Sequence, residues 1–112
     1  MPSLAPHPIP AYRNPALPVE ERVADLLGRM TLEEKIGQIM LWDARVEDLS
    51  FVEKFQPGSL LHVLGEKVNR AMDLTARTRL GIPLLIGEDG IHGHSFWKGA
   101  TIFPTQLAMA AS

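Results

Sequence analysis

The chain has 112 residues, nearly half of them hydrophobic, and a formal net charge of −2. That is enough apolar residue for one packed domain and too much for general disorder. The basic residues are scattered, which argues against nucleic-acid and membrane-surface partners, and the absence of cysteine excludes disulfides and thiolate chemistry.

Residues 1–17 carry Pro2, Pro6, Pro8, Pro10 and Pro15. Proline fixes φ and lacks an amide donor, so this segment is expected to be an extended arm, a leader into the fold and not a core element. It lacks the basic start and apolar core of a signal peptide, and no apolar run reaches the ~20 residues of a membrane span. A cytoplasmic location is the expectation that follows.

Pro18 suits the first position of a helix, and Val23, Leu26, Leu27 and Met30 fall on one stripe of it. Thr31-Leu32-Glu33-Glu34 has the pattern of a capping box and opens a second helix, expected to bury Leu32, Ile36 and Ile39. Acids are favoured at a helix N-terminus, so Glu33 and Glu34 read as structural and not as a catalytic pair.

Met40-Leu41-Trp42 reads as a first buried strand or its approach. Residues 47–56 read as a helix using Leu49, Val52 and Phe55, and Pro57-Gly58 as a turn. Residues 59–64 read as a strand containing His62, which is either a ligand or, more commonly in such a setting, a packed and hydrogen-bonded side chain. Residues 66–79 read as a helix with Val68, Ala71, Met72 and Thr75 on one face, closed by Gly81.

Leu84-Leu85-Ile86-Gly87 is a short apolar run after Pro83, expected to be a buried strand. Strand, helix and strand with short connections make a βαβ-like unit in an α/β fold with a parallel sheet. The run ends in Glu88-Asp89-Gly90-Ile91-His92-Gly93-His94. Ligand sites of parallel α/β folds lie at the carboxyl ends of strands. If strand alternation persists, Leu85, Gly87 and Asp89 share one face, and Leu84, Ile86 and Glu88 the other. Asp89 is then the residue facing a site and Glu88 a supporting group. An Asp89 turned to bulk solvent with Glu88 in the cleft would remove this assignment. His92, His94 and Asp89 also suit a metal, but H-x-H is a weak signal, and the third reading is a polar loop held in shape by its histidines. After the loop come Ser95-Phe96-Trp97, an exposed-looking aromatic pair, an extended piece at 101–104, and a helix over 105–111.

Three stretches carry a resemblance. Arg29-Met30-Thr31-Leu32-Glu33-Glu34-Lys35-Ile36-Gly37-Gln38, then the run from Arg79-Leu80-Gly81-Ile82-Pro83 through Asp89 to His92-Gly93-His94, and then Gly99-Ala100-Thr101-Ile102-Phe103-Pro104 resemble, in order, motifs of glycoside hydrolase family 3. The resemblance covers residues 18–112. It implies the first part of a (β/α)8 TIM-type barrel, incomplete in this chain because such a barrel takes ~250 residues. It implies a retaining β-glucosidase-like hydrolase acting on β-linked glycosides, with no cofactor and no metal. By position Asp89 would hold hydroxyls of the sugar, His92 would bind beside it, and Glu88, Gly90 and Gly93 would shape the loop; Trp97 would border the pocket. No residue here matches the nucleophile or the acid/base of the family, which are expected beyond Ser112, so the isolated chain is expected to be inactive. A non-catalytic sugar-binding module and a small metal-dependent enzyme built on the histidines and Asp89 are the other readings. The oligomeric state, the sugar and the linkage are not legible.

Overall fold

The computed structural model describes residues 9–45, 48–94 and 96–112. The chain forms two compact units, residues 1–35 and 36–112. Among the described residues no helix is long and apolar enough to cross a membrane.

In the first unit, Ala11–Arg13 form a 3-10 turn within the proline-rich arm, and helix α1 spans Val19–Arg29 with Pro18 as its N-cap. Residues 1–8 of the arm lie outside the described residues. Asp25 ties the turn to the helix. Its carboxylate accepts from the Tyr12 amide (3.0 Å) and from the Arg29 side chain (2.9 Å). These donors, Arg29 first, hold the Asp25 carboxyl below its ordinary range. The capping box forms as expected. Thr31 Oγ1 accepts from the Glu34 amide at 3.2 Å, and Glu34 returns a carboxylate oxygen to the Thr31 amide at 2.9 Å. It opens helix α2, Leu32–Gln38. The apolar residues Leu32, Ile36 and Ile39 are exposed, not buried as expected. Leu32 and Ile36 do share a face of α2, and Ile39 lies past its end, but the face is left uncovered.

The second unit is a parallel sheet carried on helices. Strand β1 is Leu41–Asp43, β2 is Ser59–Leu61 and β3 is Leu85–Gly87, in the order β1-β2-β3 with both pairings parallel. Helix α3 (Ser50–Phe55) joins β1 to β2, and helix α4 (Glu66–Ala76) joins β2 to β3. The βαβ unit therefore occurs twice. Glu47, part of the helix expected over 47–56, lies outside the described residues. Helix α5, Gln106–Ala110, follows later and is capped by Thr105, whose hydroxyl accepts from the Ala108 amide.

Register makes the two faces of the sheet unequal. Trp42, Leu60 and Ile86 lie side by side. Trp42 and Leu60 join a core with Ala44, Leu49, Val52, Val63, Ala71 and Leu84, flanked by Val68 and Met72 of α4. Trp42 stacks on Phe51 and Phe55 of α3, with centroids 4.9 and 5.4 Å away. The other face carries Leu41, Ser59 and Leu85 in one row and Asp43, Leu61 and Gly87 in the next. It is open: Leu41 is 58% exposed and Leu85 75%. The expectation of buried strands thus holds for Leu60 and Leu84 and fails for Leu41 and Leu85, on the bare face, and for Ile86, which stands on the end strand β3 outside the core and is 38% exposed.

Two boundaries differ from expectation. β2 stops at Leu61 because His62 takes φ +61°, which no strand residue does. α4 stops at Ala76, short of residue 79, because the Thr75 and Thr78 hydroxyls donate to the carbonyls of Met72 and Thr75 while Arg77 and Thr78 make tighter i→i+3 bonds. In the entry motif, Gly37 and Gln38 reach the turn after α3. The Gly58 amide donates to the Gly37 carbonyl at 3.0 Å, and Gln38 donates to the Gln56 carbonyl. A Cβ on Gly37 would sit 2.3 Å from the Phe55 carbonyl oxygen, so only glycine fits.

Candidate functional site

In a parallel sheet every strand points its carboxyl end the same way, and here those ends bring chemistry together. Asp43 closes β1 and is followed by Ala44 and Arg45. His62 follows β2. Glu88 and Asp89 follow β3.

His62 is the hub. Its Nδ1 lies 2.9 Å from Glu88 Oε1 and its Nε2 3.7 Å from Asp89 Oδ2. Its backbone amide donates to the Gly87 carbonyl at 3.3 Å, and its ring meets Phe96 edge-on at 6.1 Å. The His62 and Glu88 side chains are each 16% exposed, whereas Asp89 is 60% exposed. Glu88 Oε1 also accepts from the Asp89 amide at 3.1 Å. The His62 hydrogen bond foremost, with that amide and the nearby His94, holds the Glu88 carboxyl below its ordinary range against the opposing effect of burial. A cavity of about 130 Å³ lies beside this pair, lined by Arg45, His62, Leu64, Glu88 and Phe96. Glu88 Oε2 is buried there with no hydrogen-bond partner among the described residues. Arg45 pairs with Asp43 through Nε at 3.0 Å and holds that carboxyl low.

Leu84 is buried and Leu85 bare, but alternation does not assign the acids beyond β3, where both reach the same imidazole. Their burial is the reverse of the expectation: with Glu88 in the cleft and Asp89 turned to solvent, the face argument for Asp89 is removed. Glu88 lines the small cavity, and Asp89 is presented to solvent beside it. Asp89 is the acid a solute can reach; Glu88 is engaged by His62.

Further along, His92 is fastened to the third motif. Its carbonyl accepts from the Phe103 amide at 2.8 Å, and its Nδ1 donates to the Phe103 carbonyl at 3.1 Å. That bond sets the tautomer and leaves Nε2 for a ligand. Gly93 sits at φ +81°, and a Cβ there would lie 2.9 Å from the Thr101 carbonyl oxygen. The bend at residues 92–93 thus rests on residues 101–103. At Gly90 a Cβ would meet only the Gly93 carbonyl oxygen, at 3.9 Å, so space does not demand glycine there. Trp97 is exposed and stacks on His94 at 6.2 Å. Ser95 lies outside the described residues. Among the described residues no group of three or more His, Asp or Glu side chains is gathered to hold a metal, so Asp89, His92 and His94 do not converge. Arg45 was not legible as part of the site. The only signal was a charge shortly after a strand, and the pairing of strands had to be known to use it.

No protein-family model matches the chain. The chain is 33% identical over 130 aligned positions to β-glucosidase C of Emericella nidulans, which takes in 92% of this chain and 21% of that protein. It is 32% identical over 97 positions to the periplasmic β-glucosidase of Salmonella typhimurium, covering 80% of this chain and 12% of that one. Among solved structures, a β-glucosidase involved in saponin metabolism from intestinal bacteria matches with a TM-score of 0.61 and 58% identity, over 80% of this chain and 12% of that one. The chain thus spans about a fifth or less of the proteins it matches. Over most of its length the chain is similar to part of these β-glucosidases, and with its three motifs in order it is a fragment of a glycoside hydrolase family 3-like protein.

Proposed function

We propose that the carboxyl ends of β1, β2 and β3 form part of the sugar site of a β-glucosidase-like hydrolase, with Asp89 as the group that grips the sugar. The observation that carries this reading is the position of Asp89. It follows a parallel strand by two residues, it is 60% exposed, and a histidine stands beside its carboxylate. A carboxylate accepts from two vicinal hydroxyls at once, and charged hydrogen bonds are the stronger kind. His92, with Nδ1 engaged on Phe103, offers Nε2 as a further acceptor on the same loop. The substrate class is a β-linked glycoside, by analogy with the relatives' names.

The sheet reads as three strands of a (β/α)8-type barrel. Support comes from the repeated βαβ order and from a sheet covered by helices on one face and bare on the other. The bare face, with Leu41, Leu85 and Gly87, would be the barrel interior, and Asp89 would stand at its mouth. Chemistry would proceed by retaining displacement at a pair of carboxylates ~5–5.5 Å apart. Asp89 is not one of that pair. It would act by holding hydroxyls more tightly as the ring distorts toward the transition state.

The test is Asp89→Asn in the protein that carries this sequence. Asparagine keeps the shape and removes the charge. A fall of about 10²-fold in kcat/KM on an aryl β-glucoside, reflecting one or two charged hydrogen bonds, is the expected result. Unchanged kinetics would remove Asp89 from the site. Binding of glucose without any turnover would favour a non-catalytic sugar-binding module.

A further inference from the structure

We propose that His62 is a positioning residue for Asp89: Glu88 fixes the imidazole through Nδ1, and Nε2 is thereby turned to the Asp89 carboxylate. The proposal rests on the reading of Asp89 as the sugar-gripping acid.

Three observations support it independently of each other. First, His62 holds a left-handed backbone, φ +61°, immediately after β2. A histidine there is uncommon, and such conformations persist where the surroundings enforce them. Here the amide bond to the Gly87 carbonyl, the Glu88 contact and the Phe96 ring all bear on it. Second, Glu88 is spent on this task. It is only 16% exposed, and its Oε1 faces His62 Nδ1 at 2.9 Å. Third, the imidazole bridges two acids that adjacency in sequence would otherwise send to opposite sides. Nε2 is 3.7 Å from Asp89 Oδ2, an ion-pair distance.

The chemistry follows from the tautomer. A carboxylate at Nδ1 keeps the proton on that nitrogen. When the ring is protonated, Nε2–H points at Asp89 and holds it. When the ring is neutral, Nε2 presents a lone pair and the hold is lost. The other charges facing the cluster are Arg45, on the cavity wall and within electrostatic reach of Asp89, its partner Asp43, and His94 near Glu88.

The test follows the ring nitrogens of His62 and the carboxyl carbon of Asp89 by NMR in the full chain across pH 5–8, then titrates in glucose. The expected result is a proton on Nδ1 throughout and an Nε2 signal that responds to Asp89→Asn. His62→Asn, which tolerates a positive φ, should weaken glucose binding about 5- to 10-fold. A proton on Nε2 with Nδ1 bare, an Nε2 signal unaltered in Asp89→Asn, or unchanged glucose affinity in His62→Asn would each overturn the proposal. An Nε2 signal coupled to Asp89 with no glucose response in any form would leave the clamp standing and overturn the sugar reading instead.

Discussion

The two faces of one three-stranded sheet behave as different molecules. On the helix side, Leu60 is wholly buried between Trp42 and the core residues Val52 and Ala71. On the other side, one residue away along each strand, Leu41 and Leu85 lie bare. The backbone geometry is the same; only the cover differs. The lesson is that apolar residues in a strand report the face they are meant for and not the burial they have. Beyond β3 a like contrast in exposure separates Asp89, open to a ligand, from Glu88, enclosed against His62.

The largest effect expected from this contrast is at Leu60. Leu60→Ala should cost about 2–5 kcal/mol, the range for a fully buried leucine, and Leu85→Ala less than about 0.5 kcal/mol. Denaturant midpoints of the two variants measure the difference directly. Equal losses would mean that the open face is covered in solution. Next comes Gly37→Ala, whose Cβ would press on the Phe55 carbonyl from 2.3 Å. A loss of roughly 1–3 kcal/mol is expected, again by denaturant midpoint, and a neutral result would show that α2 and the turn after α3 are not held together as described. Thr31→Ala should cost about 1 kcal/mol, the usual value for an N-cap, and Glu34→Gln should retain most of the cap.

Much of this was legible in the residues. The capping box was written in Thr31 and Glu34, and α4 in the spacing of Val68, Ala71, Met72 and Thr75. The parallel order followed from strand, helix and strand. Alternation did not place the acids: it put Asp89 in the pocket, and it is Glu88 that lines the cavity. The rest needed three dimensions. The exposure of Leu32, Ile36 and Leu41 depends on what packs against them, which no periodicity encodes. The end of β2 depends on the backbone of His62, a residue type that gives no warning of a positive φ. The link from His92 to Phe103 spans eleven residues and is backbone in large part, so side-chain identity announces little of it.

The smallest expected effect concerns pH. Glu88 has a folded-state pKa below its unfolded value, with the His62 bond as first cause. Between the two values the unfolded chain binds more protons, so stability rises with pH there. The contribution is present above the unfolded value, ~4.3 for a glutamate, and is lost as pH falls through the folded one. Asp25, Asp43 and Asp48 are lowered too, by Arg29, Arg45 and Ser50, so Glu88→Gln should flatten the acid limb of stability without abolishing it. Thermal midpoints between pH 5 and 3 report this, and an unaltered limb would show that Glu88 is not paired with His62 in solution.

The central claim is that Asp89, at the carboxyl end of the sheet, is a sugar-gripping acid. Its most direct measurement is glucose titrated into the isotope-labelled chain, with and without Asp89→Asn. Shifts concentrated at residues 62 and 87–93 are expected in the parent chain, with affinity weakened at least 10-fold by the substitution. Equal binding by both forms, or shifts gathered elsewhere on the molecule, would contradict it.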